Sequence, residues 1–310
     1  MKFGRYEVAI ANRDKILFPE SGLTKGDLID YYLAVSETLI PHMEHYGVSM
    51  QRFPDGIDQE GFYQKDAADY FPGWLTTVRI PKREGGSFAA PVVTCCAALA
   101  YLANQAVVTP HLYLARIDDL EHPDRMIFDL DPPAEKGNPE NVCRAALTLR
   151  DLLEELDLSS WVQTTGSKGF HLVVPLDRSS DFDSVRAFAG DTARLMVRRH
   201  PQRYTQAQRK RKRGQRIFLD TQRNAYGATA VCPYGVRARK GAPVATPVTW
   251  QEVESFVSPQ DWDMQTLPKR LQDTGDPWNG LHRHARQLGG RREILERLLD
   301  KEKPTDEEST

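Results

Sequence analysis

From Thr24 to Tyr46 apolar residues return at helical spacing: Leu28, Tyr32, Val35 and Leu39 share a face, Thr24 can cap the start and Asp27 sits in the first turn. The pattern predicts a helix that Pro41 ends or kinks. Beyond it the period changes. Val48–Phe53, Leu75–Ile80 and Phe88–Val93 are short apolar runs broken by Pro and Gly, the mark of strands. Arg125–Asp131 reads as a further strand, stopped by Pro132 and Pro133. A helix follows, capped by Asn138 with Pro139 at its first position, and Val142, Ala146, Leu149, Leu153 and Leu156 face inward. Trp161–Thr164 and Phe170–Pro175 form two strands joined by a Gly-Ser-Lys-Gly turn. An amphipathic helix from about Asp183 to Arg199, a strand at Arg216–Asp220 and a short helix opened by the capping box Thr249-Trp250-Gln251-Glu252 complete the interior. Residues after about Asp300 are charged and nearly devoid of apolar side chains, so a disordered tail is expected there. Helices and strands mix without strict βαβ alternation. The fold class is therefore α+β.

Composition changes this picture little. Across 310 residues, 41 Lys+Arg stand against 43 Asp+Glu, a formal net charge of −2. That balance argues against a partner held by bulk charge, but a basic groove can still lie opposite acidic faces. No apolar run approaches the ~18–20 residues of a membrane span, and the first residues lack the apolar core of a secretory signal. Cys95, Cys96, Cys143 and Cys232 have no C-x-x-C spacing and are expected to be buried thiols, not disulfides or zinc ligands, in a reducing compartment.

The chemistry concentrates in a few stretches. In Phe128-Asp129-Leu130-Asp131, strand alternation puts both aspartates on one face and the apolar pair in the core. Two such carboxylates repel unless a cation lies between them, and hard oxygen ligands suit Mg²⁺ or Mn²⁺. A solvated strand end would use the same residues merely to cap a turn. Thr164 to His171 holds a Gly166-Ser167-Lys168-Gly169 turn, which offers backbone N–H groups, a hydroxyl and an ammonium to an anion. It would serve equally as a tight hairpin that needs its glycines. The Walker spacing is absent. Asp220 ends a strand and is followed by Arg223, Arg237 and Arg239, a setting in which a salt bridge is the ordinary outcome. Arg198 to Arg216 carries nine Lys/Arg and no acid, either a solvated loop or a segment that touches phosphates. Lys15 and Lys25 bracket a tight turn beside a helix start and can converge on one phosphate. Phe62-Tyr63, in a Gly-rich loop, offers aromatics for base stacking. Three acids, an anion cradle, arginines and basic loops together fit phosphoryl transfer on nucleic acid.

In order along the chain, several motifs resemble the polymerase domain of bacterial ligase D, of the archaeo-eukaryotic primase superfamily. They are Asn12-Arg13-Asp14-Lys15, Thr24-Lys25-Gly26-Asp27-Leu28, Pro110-His111, His122-Pro123-Asp124-Arg125, Phe128 to Pro132, Gly166 to His171 and Asn224 to Thr229. The resemblance spans about residues 4 to 290. It implies one primase-polymerase domain over 1–290, with an RRM-like mixed sheet beside a second small α/β layer, and a helix end and acidic tail over 291–310. It also implies two divalent cations, Mn²⁺ or Mg²⁺, on Asp129, Asp131 and Asp220. Incoming nucleotide would meet Ser167, Lys168 and His171, and His111, Arg223 and Arg237 fall where the family contacts that nucleotide and its phosphates. Lys15 and Lys25 fall where the family grips the 5′-phosphate at a break, and Phe62 where it stacks on the template. The implied activity is template-directed extension of a primer 3′-OH at gaps or broken DNA ends, with NTPs preferred over dNTPs, in non-homologous end joining. The end-binding protein Ku and a DNA ligase are the implied partners, and the implied place is the nucleoid-associated cytoplasm of a prokaryote, with no membrane. Three other readings use the same residues: a primase starting chains de novo, a non-catalytic DNA-end bridging module, and a metal-dependent nuclease.

Overall fold

The computed structural model describes residues 1–133 and 139–302. Two sheets organise it. The larger has six strands in the order Tyr204–Thr205, Ile217–Asp220, Arg125–Asp131, Phe170–Pro175, Trp161–Thr164 and Pro247–Val248. Its pairings are antiparallel except for the first. The smaller is fully antiparallel, in the order Thr229–Val231, Val107–Tyr113, Val48–Arg52 and Phe62–Gln64.

Alternation decides which face of the central strand is dry. Met126, Phe128 and Leu130 pack into a core with Val142, Ala146, Leu149 and Leu153 of the helix Pro139–Glu155. Val185, Phe188 and Ala189 of the helix Phe182–Arg199 join them, as do Leu295 and Leu299 of the helix Gly289–Lys301. The terminal helix is therefore a structural member of this layer and continues through Asp300. Residues 303–310 of the expected tail, and the expected cap Asn138, lie outside the described residues.

A second core joins the smaller sheet, through Val48, Met50, Val108 and Leu112, to the helices Lys25–Ala34, Ser36–Met43 and Cys96–Asn104. Between the sheets Leu114, Ile127, Val173, Ala230 and Trp278 form a small apolar seam.

Three expectations need correction. The helix from Thr24 does not run to Pro41. It breaks at Val35, where the Ser36 hydroxyl donates to the Leu33 carbonyl in competition with the helical ladder, and Pro41 sits inside the second helix. Phe62-Tyr63 is not in a loop but on the outer strand of the smaller sheet, paired with Arg52 and Gln51. The basic run is not a bare loop either: Lys210–Lys212 forms a 3₁₀ turn. Arg213 donates to the carbonyls of Ala207 and Gln208 and lies over the Phe218 ring. All four cysteines are free; Cys143 and Cys232 are buried as expected, whereas Cys95 and Cys96, around the start of the helix Cys96–Asn104, are only half-buried.

Candidate nucleotide-handling site

The register of the larger sheet lines up four polar residues from four adjacent strands. Asp220 faces Asp129, Asp129 faces His171, and His171 faces Gln163. In an antiparallel sheet, directly opposed residues project to the same side. The row therefore points away from the helices, toward the smaller sheet.

Asp129 is buried. Its Oδ2 accepts from Arg223 Nε at 2.9 Å and faces His171 Nε2 at 3.4 Å. Burial alone would push this carboxyl up, but His171 and Arg223 together hold it well below the usual range. Its Oδ1 is buried with no hydrogen-bond partner. Asp131 behaves oppositely: burial, then the charge of Asp129 with Asp220 adding to it, pushes its carboxyl up to about 6. The mutual repulsion expected of the pair thus falls on one member. Asp220 caps the next turn, its Oδ1 accepting from the Gln222 backbone N–H at 2.8 Å. Among the described residues no three His, Cys, Asp or Glu side chains close into a metal cage. The donor set nonetheless fits divalent cations: an unpartnered buried carboxylate oxygen, and a neighbouring acid whose negative charge is opposed by two others.

Arg223 is placed by its neighbour. Asn224 is fully buried, accepting from the Ile127 N–H at 2.8 Å and donating to the Ile127 carbonyl at 2.7 Å and the Thr221 carbonyl at 3.0 Å. The strand Ile217–Asp220 has already ended at that level, so the side-chain amide completes the backbone pairing of Ile127.

The Gly166–Gly169 turn is packed against the end of the acid-bearing strand. A Cβ on Gly169 would lie 2.0 Å from the Leu130 carbonyl oxygen, and one on Gly166, whose φ is +60°, would lie 2.7 Å from Arg237 Cγ. Both glycines are required by close approach. Arg237 in turn donates to the Thr165 carbonyl at 2.6 Å. Ser167 and Lys168 open into a cavity of about 470 Å³ shared with Asp131, Lys210, Arg213 and Arg239. The last three were not singled out as contacts to nucleotide from the sequence, although they belong to the basic stretches it displays.

On the facing sheet, His111 is buried in the strand Val107–Tyr113, and its Nε2 has no partner. Burial first, then the charges of Arg237 and Arg223, push its pKa down to about 3, so the ring is neutral at physiological pH. Tyr63 meets His111 edge-on with centroids 5.4 Å apart and is 57% exposed, while Phe62, 46% exposed, lies under the Arg52 guanidinium.

The N-terminal lysines form a separate place. Lys25 opens the helix Lys25–Ala34, and its backbone N–H donates to the Lys15 carbonyl at 2.8 Å. Its side chain is buried at 7% exposure, and burial followed by the charge of Lys15 lowers its pKa. Lys15 Nζ is 2.7 Å from Asp55 Oδ1 at the surface. The lysines are thus joined through the backbone, and their side chains face Asp55 and the Asn104 carbonyl rather than the acid row.

Acids paired with Arg223, beside a turn whose hydroxyl and ammonium suit an anion and between two sheets, are what a nucleotide-handling protein requires. The profile of the LigD primase-polymerase domain matches residues 24–278, and the chain belongs to that family. It is 34% identical over 252 residues to the multifunctional non-homologous end joining protein LigD of Mycolicibacterium smegmatis, covering 80% of this chain and 33% of that protein. It is 29% identical over 272 residues to the bifunctional LigD of Bacillus subtilis, covering 87% of this chain and 43% of that protein. The chain thus spans a third to two fifths of these relatives' length. The polymerase domain of Mycobacterium tuberculosis Ligase D, solved in complex with DNA, superposes with a TM-score of 0.83 at 29% identity, covering 90% of this chain and 99% of that one.

Proposed function

We propose that this chain is a template-directed nucleotidyltransferase that extends a primer 3′-OH at 5′-phosphorylated gaps or double-strand-break ends, preferring ribonucleotides. The observation that carries the reading is the in-register row Asp220–Asp129–His171, with an unpartnered Asp129 oxygen, beside the Ser167–Lys168 cavity. The 3′-oxygen attacks the α-phosphorus in line, the bond to the bridging oxygen breaks and pyrophosphate leaves. Ser167 and Lys168 hold the triphosphate, and His171, Arg223 and Arg237 offset charge on its oxygens in a site where low dielectric strengthens each contact. Neutral His111 meets a hydroxyl of the incoming nucleotide. Asp129, Asp131 and Asp220 hold the two divalent cations, Mn²⁺ or Mg²⁺, which when bound acidify the 3′-OH and neutralise the leaving pyrophosphate. Lys15 and Lys25 take the 5′-phosphate of the downstream strand, and Phe62 stacks on the template.

One primase-polymerase domain does this work in the proposal, its expected end at 290 moved outward to take in the helix Gly289–Lys301 that packs into its core, in the cytoplasm of a prokaryote, alongside Ku and a DNA ligase. Among the described residues no helix is long and apolar enough to cross a membrane. A labelled primer on a gapped template, incubated with NTPs or dNTPs and Mn²⁺, tests the reading. It lengthens if the proposal holds. Shortening makes the protein a nuclease, and an unchanged primer makes it a bridging module. Synthesis on a primer-free template would make it a primase.

A further inference from the structure

Gln163 is the fourth member of the polar row. It is buried at the register position opposite His171, on the side away from Asp129. Its Nε2 lies 3.4 Å from the Val231 carbonyl oxygen and 3.3 Å from His171 Nδ1, while its Oε1 has no partner. Val231 belongs to the other sheet, where it pairs with His111. A backbone carbonyl only accepts, so the amide nitrogen of Gln163, not its oxygen, must face Val231. The same NH₂ then points its second hydrogen at His171 Nδ1. That nitrogen must accept, which leaves the ring proton on Nε2, the nitrogen 3.4 Å from Asp129 Oδ2.

We propose that Gln163 is a positioning residue: anchored on the Val231 carbonyl of the facing sheet, it fixes the tautomer of His171 so that an N–H, not a lone pair, is presented to the acid row and the nucleotide. The inference rests on the polymerase reading for its consequence, since an N–H at Nε2 is what an anionic phosphate oxygen can accept from and a lone pair there would repel it. It does not rest on that reading for its geometry. Orienting partners of this type act through the ring they hold, and a wrong tautomer disables a histidine that is otherwise in place.

The test is long-range ¹H–¹⁵N spectroscopy of the histidine-labelled full chain, with His171 assigned by the signals lost in His171→Gln, combined with nucleotide titration of primer extension. The wild type is expected to show the Nε2–H pattern for His171. Gln163→Glu keeps the shape but replaces the donor by an acceptor; with Asp129 still facing Nε2, the ring is expected to take a proton on both nitrogens and lose the single Nε2–H pattern. Its apparent KM for nucleotide should rise about 10-fold with DNA affinity unchanged. Gln163→Leu, which removes the donor without adding charge, serves if the glutamate variant does not fold. It should lose the single Nε2–H pattern and raise KM in the same direction. An Nε2–H pattern retained in the variant that folds overturns the inference, and so does a changed pattern with an unchanged KM. A wild-type protein that shows the Nε2–H pattern yet never extends a primer overturns the polymerase reading and leaves the positioning intact.

Discussion

In the proposed function the acid row and the lysine pair both hold charge for nucleic acid, yet the protein builds them in opposite ways. The row stands on adjacent strands of a buried sheet, where register places Asp129 against Asp220 and His171. Burial opposes ionisation of both Asp129 and the neighbouring Asp131, but His171 and Arg223 outweigh it at Asp129 and bring that carboxyl down, while the charge of Asp129 adds to it at Asp131. The lysine pair stands on a surface turn and a helix start, and Lys15 already has a carboxylate partner in Asp55, 74% exposed at its side chain. Sites of the first kind are preorganised and intolerant of substitution. Sites of the second kind are worth little until an anion arrives that outcompetes the surface partner.

The sharpest way to break this comparison is at the row itself. Asp129→Asn should reduce primer extension by about 10²-fold or more. A single-turnover assay with saturating nucleotide checks this, and near-normal extension would remove Asp129 from the chemistry. The same two aspartates should also differ in stability. In chelator-containing buffer at pH 7, Asp129→Asn leaves Arg223 without its carboxylate and should lower the unfolding free energy by about 1–3 kcal/mol. Asp131→Asn, in contrast, removes the member that burial and Asp129 oppose and should be neutral or stabilising by a similar ~1–2 kcal/mol. Urea melts that moved both variants in the same direction would show that the charges are not divided as Asp129 and Asp131 divide them here.

Effects at the lysines are expected to be smaller. Gapped DNA with a downstream 5′-phosphate should bind about 10-fold tighter than its 5′-hydroxyl counterpart, the advantage of one charge-assisted contact. Lys15→Ala with Lys25→Ala should erase that preference while leaving extension on phosphate-free primer–template unchanged; equal binding of the two DNAs by the wild type would refute the pocket. Because the folded environment lowers the Lys25 pKa, its ammonium is lost earlier than an ordinary lysine's as pH rises. The preference should therefore fade on the alkaline side, and a preference still constant where free lysine titrates would exclude Lys25. Smallest of all, Asp55→Asn should tighten binding of the phosphorylated gap by about 2-fold, since it frees Lys15 from an exposed pair. Weaker binding by that variant would mean that Asp55 helps position the lysine instead of competing for it.

Local rules made some of these residues legible and hid others. The N-cap at Thr24, the capping box at Thr249, the alternation through Phe128-Asp129-Leu130-Asp131 and the inward stripe of Pro139–Glu155 follow from nearest neighbours and are present in the fold. The family motifs added His111, which no periodicity marks. Its strand, Val107–Tyr113, is buried at every position and carries Pro110, so it shows neither alternation nor ordinary strand composition. The pairing of Asp129 with Asp220 and His171 joins residues 91 and 42 positions apart in the chain, and no local pattern encodes such a distance. Gln163 and Asn224 carried a fainter signal. Each is an amide in an otherwise apolar or turn-forming stretch, and what it does depends on a backbone group that only the tertiary fold brings near.

The amide of Asn224 has a consequence for how the chain can be edited. Arg223 is pinned on one side by that amide and on the other by its own bond to the Thr229 carbonyl, from which the strand Thr229–Val231 departs. Residues 225–228 therefore span two fixed anchorages. Their outward tie is Tyr226, whose hydroxyl donates to the Pro81 carbonyl and whose ring lies under Arg83 of the Thr77–Pro91 hairpin. A few residues grafted into this arch would slacken the tether on the hairpin yet leave the guanidinium at Asp129 between its two anchorages, a splice point at which the hold on the hairpin can be loosened separately from Arg223.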